Sequence, residues 1–514
     1  MQPIVTIKNG TYAGVYSPGF RQEFFLGMPF AQTTGGQNRF ANPVSLNASW
    51  AGIRSAAAYS PFCPGYSESA TNYSPDEDCL SVNVVRPAGY EGQLLPVATG
   101  IFGGGFYAGG SADPSYNLSF IVANSVQMGK PVIAVSMNYR VSGWGYMKSD
   151  DLVAEGSTNM GIRDQRLALH WIQENIEPFG GDPTKVTIFG ESAGAYSVGY
   201  QLVAYNGRDD KLFRGAIMQS GNPFPLKTQQ WHFSQPYYDN TAVAVGCGNA
   251  TDRLVCLRMV PFETLDLYFN KTWDRLFYPQ PDGDLFNVST YDQMMDGQFI
   301  KVPLIIGTNS DEGTAFAPRL INNDAQMLAQ ITAQGLYPDI PAIGIPAVFT
   351  DRPDELTYGR QFKRAAAFFG DHLFIADRRL TTMQWSKYNG TTYCYRFNIN
   401  PYTGGADLSS VTHGSEIPFV FGNTTNPKYF ANKPSWYYEQ ATLINHMWIS
   451  FFNDLTPNNH GIRGQPQWPL YDGADGYGTN FVFEANATNH LELDTYRAEA
   501  IAYLQSIRKK QFKY

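Results

Sequence analysis

A serine hydroxyl attacks a carbonyl only when a base stands beside it and N–H donors wait for the oxyanion it creates. The segment Val186-Thr-Ile-Phe-Gly-Glu-Ser-Ala-Gly-Ala195 sets Ser192 in a Gly-x-Ser-x-Gly pentapeptide, directly after a strand-like run and before a helix-compatible run from Ala193 to Tyr205. Gly190 and Gly194 permit the sharp strand-to-helix turn that pushes a hydroxyl clear of the chain, with a helix N-terminus behind it. The pentapeptide alone recurs by chance; its placement makes Ser192 a candidate nucleophile. Upstream, Phe102-Gly-Gly-Gly-Phe106 follows another strand-like run, and residues without side chains there let backbone N–H groups approach a substrate oxygen. A glycine run also suits a plain tight turn. Taken with Ser192 it reads as an oxyanion loop, with Gly104, Gly105 and Ala193 as the donors.

Partners for the serine must come from elsewhere. After the strand-like run Val302 to Gly307, the stretch Asn309-Ser-Asp-Glu-Gly313 offers Asp311 and Glu312, and by residue type either could orient an imidazole or merely cap a loop. The chain has seven histidines. His372 and His446 lie in apolar, helical-looking runs that suit structural roles, whereas His413 lies in the loop-like Thr412-His-Gly-Ser-Glu-Ile-Pro418. Glu191, next to the serine, and Ser220, in Gln219-Ser-Gly221, could support these groups by hydrogen bonds or serve structure alone. Phe106, Tyr107, Phe224, Phe419 and Phe421 flank these motifs and could line pockets or pack a core. The histidines show no metal-site spacing.

The elements that would carry these residues are short apolar runs of strand length: Pro96 to Phe102, Pro131 to Asn138, Val186 to Gly190, Phe213 to Gln219, Val302 to Gly307 and Thr392 to Phe397. Helical patterns separate them, most clearly Asp164 to Ile176, where Leu167, Trp171 and Asn175 share one side beside Ala168, Ile172 and Ile176, ahead of Pro178. Strands alternating with helices imply an α/β fold: a large, mostly parallel sheet covered on both faces. Asn322 to Glu355, punctuated by prolines, reads as a cap-like excursion. No repeat or linker divides the chain, so 1–514 reads as a single catalytic domain with insertions.

Hydrophobic residues make up 43% and charged residues 16% of the 514, which implies a large core. A net charge of −8 disfavours nucleic acid and anionic membranes as partners. Arg508, Lys509, Lys510 and Lys513 form the one basic cluster, read as a solvated helix end. The most apolar stretch, Leu94 to Gly110, is broken by Pro96 and several glycines, so no stable membrane insertion is expected. Ten Asn-x-Ser/Thr sites, at Asn9, Asn47, Asn72, Asn117, Asn249, Asn270, Asn287, Asn389, Asn423 and Asn486, beside five cysteines, point to a secreted, extracellular protein. Met1-Gln2 opens no apolar leader, which reads as a mature form.

Ordered along the chain are Phe25-Leu-Gly-Met-Pro-Phe-Ala31, Glu77-Asp-Cys-Leu80, Asn138-Tyr-Arg140, Asn159 through Gln165, Phe179-Gly-Gly-Asp-Pro183, Gly190-Glu-Ser-Ala-Gly194 and Gln219-Ser-Gly221. With these stretches the chain resembles, nearly end to end, the type-B carboxylesterase and lipase family of α/β hydrolases, which includes fungal lipases and cholinesterases. The resemblance implies the α/β-hydrolase fold, Glu312 as the acid and His413 as the base, in the chain order that fold uses. It implies ester hydrolysis through an acyl-enzyme, with a small-molecule ester and water as the partners and no metal or organic cofactor. It pairs Cys63 with Cys79 and Cys247 with Cys256, leaving Cys394 as a buried thiol. In the family's lipases the first bridge closes a long amphipathic lid; here only fifteen residues, Pro64 to Asp78, a polar stretch with Ser, Asn and Asp and without an apolar helical face, lie between the cysteines. The expectation is therefore a carboxylesterase of soluble esters, with a triacylglycerol or sterol-ester lipase as the alternative. An amidase or peptidase using the same groups, and a catalytically silent binding protein on the same fold, are further alternatives. No oligomeric state is implied.

Overall fold

The structure, a computed structural model, describes residues 2–66, 74–225, 234–272, 277–333, 358–401, 410–473 and 477–511. The excursion's residues 334–355, His232 and the sequon at Asn72 lie outside them.

The sequence's six apolar runs become adjacent strands of one large sheet. Numbered in chain order, that sheet holds β1 (Val15–Ser17), β2 (Gln22–Pro29), β3 (Ser81–Pro87), β4 (Leu95–Ile101), β5 (Ile133–Met137), β6 (Gly181–Glu191), β7 (Gly215–Gln219), β8 (Leu304–Asn309), β9 (Thr392–Asn398), β10 (Thr479–Glu484) and β11 (His490–Leu493). In space the order is β11-β10-β9-β8-β7-β6-β4-β5-β3-β2-β1. From β5 through β10 all neighbours run parallel, and β11, β3, β2 and β1 are antiparallel additions. Ile4–Thr6, Thr11–Ala13 and Ile53–Ser55 form a separate small sheet.

The runs left unread have physical reasons. β3 is buried throughout, yet carries Asn83, whose amide is satisfied by Ser111, Ser136 and the Gly27 N–H. β2 is broken by an irregularity between Phe25 and Met28, and β11 is a four-residue, mostly exposed strand on the sheet's edge, too short to form an apolar run.

Helices cover both faces. The helix read as Asp164 to Ile176 spans Met160–Asn175, and with Ala193–Gly207 it buries Leu169, Ile172, Val198 and Leu202 against Val97, Val186 and Ile188. On the opposite face Ser435–Asp454 buries Ile444, Trp448 and Phe452 against Ile217, Ile305 and Phe483. In β7 Ala216 and Met218 join the first core and Ile217 the second, the period-two alternation of a strand buried on both sides. Register aligns the strand ends: Ile101 pairs with Gly190, Glu191 with Gln219, and Gln219 with Gly307. The segments leaving β4, β6, β7 and β8 therefore emerge together along one edge.

Two disulfides, Cys63–Cys79 and Cys247–Cys256, close as expected, and burial pushes the free Cys394 thiol up to about 12. Asn47, Asn249, Asn270, Asn287, Asn389 and Asn486 are exposed, whereas Asn9, Asn117 and Asn423 are half-buried. The Asn9 amide donates to the Leu46 and Ala48 carbonyls at 2.7 and 3.1 Å, bonds a glycan there would displace. Arg508 corrects the reading of a solvated basic tail. Its guanidinium is buried, donating to Asp377 at 2.9 Å and to the His372 carbonyl, because the last helix, Ala498–Gln511, packs onto Ala376–Lys387.

The family-like stretches at 138–140 and 159–165 meet in a buried ion pair: Arg140 donates to both Asp164 oxygens, at 2.8 and 2.7 Å, and its Nη1 to the Ala41 carbonyl. Gly145 and Gly161 leave room for the Arg140 carbonyl, which a Cβ at either would approach to 2.3 Å. Replacing Asp164 by Ala strands a buried guanidinium and is expected to cost about 3–5 kcal/mol. A urea titration of wild type and variant checks this; a loss below about 1 kcal/mol, the level of a surface pair, would contradict it.

Candidate active site

Ser192 leaves β6 with φ 56° and ψ −126°, a conformation a side-chain-bearing residue adopts only under constraint, at a cost of about 1–3 kcal/mol. Its N–H donates to the Gln219 carbonyl at 2.9 Å, and its carbonyl accepts from Tyr196 N at 3.0 Å to start the helix. The flanking glycines act differently from the sequence reading. Neither takes a positive φ; both are needed for close approach. A Cβ on Gly190 would lie 2.5 Å from the Gly194 carbonyl carbon, and one on Gly194 would lie 2.1 Å from the Ile101 oxygen. Contact of these two glycines with each other and with the end of β4 presses the turn flat, and Ser192 takes up the dihedral strain.

Beside the elbow, β4 opens into the glycine run. A Cβ on Gly103 would stand 3.1 Å from that of Ser192, so the loop lies directly against the serine. Gly104 (φ 115°) and Gly105 (φ 63°) turn in the left-handed region, and the Gly104 carbonyl closes the turn by accepting from Tyr107 N and Ala108 N. Gly104 is exposed in an otherwise mostly buried loop. No described residue accepts a hydrogen bond from the Gly104, Gly105 or Ala193 N–H groups, which leaves those donors available to a ligand oxygen.

Beyond β8, Glu312 is fully buried and fully engaged. Its Oε1 accepts from Ser220 Oγ at 2.5 Å and from Asn309 N at 2.7 Å, and its Oε2 lies 2.6 Å from His413 Nδ1. Asp311 is occupied elsewhere, its carboxylate accepting from Val411 N at 3.0 Å and its own N–H donating to the Val411 carbonyl. Ser220, itself at φ 55°, supports the glutamate directly. Among the described residues His413 Nε2 has no hydrogen-bond partner, and it faces Glu191 Oε1 at an ion-pair distance of 3.2 Å. The imidazole lies between Phe374, stacked at 4.6 Å, and Phe316, edge-on at 5.0 Å.

Three buried carboxylates thus surround one imidazole. Burial pushes Glu191 up to about 8, against the pull of His413 and with the repulsion of Glu416 and Glu312. Burial alone would lower His413, but Glu191, Glu312 and Glu416 outweigh it and raise the imidazole to about 9. Glu416 is the group the sequence reading missed. Its oxygens accept from Asn309 Nδ2 at 2.7 Å and Gln219 Nε2 at 3.3 Å, and burial raises it too. Its position three residues after His413, on the first turn of the same loop-to-helix segment, was the available signal. Tyr116 was missed as well: its hydroxyl donates to Glu191 Oε2 and accepts from Gly103 N, both at 3.3 Å, linking elbow and glycine loop.

The flanking aromatics resolve toward packing. Phe106, Phe224, Phe419 and Phe421 are buried among other core rings; Tyr107 is half-exposed beside Gly105. The aromatic open to solvent next to His413 is Phe316, 39% exposed, which no periodicity marked. Among the described residues no cluster of His, Cys, Asp and Glu could hold a metal ion.

Residues 1–499 match the carboxylesterase family. The chain is 35% identical to Lipase 4 of Diutina rugosa, over 93% of this chain and 91% of the relative. It is also 35% identical to Secreted lipase 1 of Botryotinia fuckeliana, over 91% and 87% respectively. The crystal structure of Aspergillus niger EstA superposes with a TM-score of 0.86 at 27% identity, covering 100% of this chain and 99% of that one. The sheet and its helical layers are thus those of the α/β-hydrolase fold.

The carboxylate ring has a measurable consequence independent of turnover. With selectively labelled histidine, His413 is expected to titrate above the ordinary imidazole value of about 6.5, and Glu191→Gln to move that titration downward. An unchanged midpoint in the variant would contradict the electrostatic assignment.

Proposed function

The chain belongs to the carboxylesterase family and hydrolyses carboxylic esters, and from this we propose a secreted serine carboxylesterase with Ser192 as nucleophile, His413 as base and Glu312 as acid. One observation carries the assignment: Glu312 fixes His413 through Nδ1 at 2.6 Å, while Nε2, without a hydrogen-bond partner among the described residues, lies 3.2 Å from Glu191 Oε1 at the strained Ser192 elbow. In the proposed cycle Nε2 takes the hydroxyl proton as Ser192 Oγ bonds to the ester carbonyl carbon. The Gly104, Gly105 and Ala193 N–H groups hold the resulting oxyanion, and Glu312 balances the imidazolium. The imidazolium then protonates the leaving alkoxy oxygen, and the alcohol departs from the acyl-enzyme. Water, deprotonated by the same nitrogen, releases the acid and restores Ser192. Ser220 and Asn309 act by holding Glu312. Nε2 faces Glu191 Oε1 at 3.2 Å in the free protein, and catalytic hydrogen bonds in free hydrolases often tighten only once substrate binds.

An ester hydrolase is not a silent binding protein, so that alternative falls. The strands of the main sheet are drawn from Val15 to Leu493, which supports reading 1–514 as one catalytic domain. Relatives named secreted lipases, two disulfides and exposed sequons support an extracellular location. The short polar stretch between Cys63 and Cys79, of which 67–73 lie outside the described residues, supports soluble esters over emulsified lipid. A second reading, a lipase, is favoured by the names of the relatives from Diutina and Botryotinia.

Ser192→Ala is expected to lower kcat on a nitrophenyl ester by at least about 10⁴-fold, and His413→Ala comparably, since the two act as a unit. Retained turnover in either would overturn the assignment. Rate measured across the substrate's critical micelle concentration separates the two readings: smooth saturation is expected, and a sharp rise above it would establish the lipase.

A further inference from the structure

The helical run from Phe362 to Lys387 contains one irregularity, a π-helical turn at Asp371–Ile375 between Phe362–Gly370 and Ala376–Lys387. An extra residue in one turn rotates all that follows by about 100° relative to a continuous α-helix. Such turns are often found at functional sites. This one is held on all sides. Arg497 clamps both oxygens of Asp371, Arg508 binds the His372 carbonyl and Nδ1, and Tyr196, from the nucleophile's helix, donates to the Leu373 carbonyl at 2.5 Å. The next side chain, Phe374, is buried, and its ring lies parallel to the His413 imidazole within 29° at 4.6 Å.

The element carrying Phe374 is also the one against which the acid loop packs. A Cβ on Gly313 would lie 2.0 Å from the Ala366 carbonyl, and one on Gly370 would lie 2.9 Å from Gly313 N. Glu312 therefore holds the imidazole by its edge, and Phe374 covers a face, from two segments in direct contact. The face of an aromatic ring attracts a cation, more so where water is excluded.

We propose that Phe374, presented by the π-turn, is a positioning residue for the ester hydrolysis: its ring face stabilises the His413 imidazolium formed as Ser192 attacks. The role rests on the Ser192–His413–Glu312 reading and adds to it a contribution that no hydrogen bond supplies. The charged groups that act on the imidazole are Glu191 from the elbow, Glu312 from the acid loop and Glu416 from its own segment, and the elements packed there also carry Asp311 on the acid loop and Asp371 and His372 on the π-turn. Asp371 is paired with Arg497, and burial with the Arg508 guanidinium pushes His372 down. Exchanging Phe374 leaves every one of these in place, so a change in the pH profile reports the ring.

The experiment compares Phe374→Leu, which keeps apolar bulk without a ring face, with Phe374→Tyr, which keeps the face; Phe374→Met replaces the leucine variant if that does not fold. A pre-steady-state burst of nitrophenol from the wild type first checks the acyl-enzyme reading, and its absence would overturn that reading and the role built on it. With the burst present, the leucine variant is expected to lose about tenfold in kcat/KM. Its acid limb should move to lower pH by roughly one unit, because removing a group that favours the cation lowers the pKa of the base. The tyrosine variant should stay within about threefold of wild type. Equal losses in both variants with an unmoved acid limb would show plain packing and overturn the proposal.

Discussion

Everything at this site depends on one steric constraint: the turn after β6 has no room for a Cβ at the second residue on either side of Ser192. Gly190 and Gly194 touch each other and the Ile101 carbonyl at distances that forbid a Cβ, so the chain reverses within a few residues and Ser192 is left at φ 56°. That strain, of about 1–3 kcal/mol, is sustained because β4, β6 and β7 are locked in parallel register beneath it. The same approach brings Gly103 against the serine, so the proposed nucleophile and the proposed oxyanion donors are positioned by one contact.

A second constraint follows from burial. Glu191, Glu312 and Glu416 converge on a single imidazole in a region where charge is costly, and the groups that make this tolerable are polar side chains at strand ends: Asn309, Gln219, Ser220 and Tyr116. They come from the ends of three strands or the segments after them, Tyr116 after β4, Gln219 and Ser220 at the end of β7 and Asn309 at the end of β8, which is why the arrangement requires the parallel sheet. Of the two acid-loop carboxylates Glu312 bonds His413, and Asp311 beside it ties the loop to Val411 instead. Adjacent residues of the same charge are thereby given separate tasks by the direction in which the chain leaves β8.

How much of this the sequence disclosed depended on whether local pattern or tertiary approach set each feature. The six central strands were legible because strands buried on both faces are written as apolar runs. β3 and β11 were not, since a buried Asn83 and an exposed edge each erase that pattern. Ser192 and the glycine loop carry local signatures, and His413 was singled out by its loop context. Asp311 and Glu312 could not be separated by residue type; only geometry, and a family likeness, distinguishes them. Tyr116 and Phe374 reach the site through contacts between distant segments, Glu416 lies near His413 in sequence but its role is set by Asn309 and Gln219 from other strands, and Arg508, which looked like part of a solvated tail, is buried by the packing of the last helix.

The central claim is that Ser192 is the activated nucleophile, and a fluorophosphonate followed by peptide mass mapping tests it most directly. The reagent forms a stable phosphonyl ester only with a hydroxyl activated as a catalytic serine is. Labelling confined to the peptide containing Ser192, abolished in Ser192→Ala and slowed in Glu312→Gln, is the expected result. A label on any other residue, or none on folded protein, would contradict it.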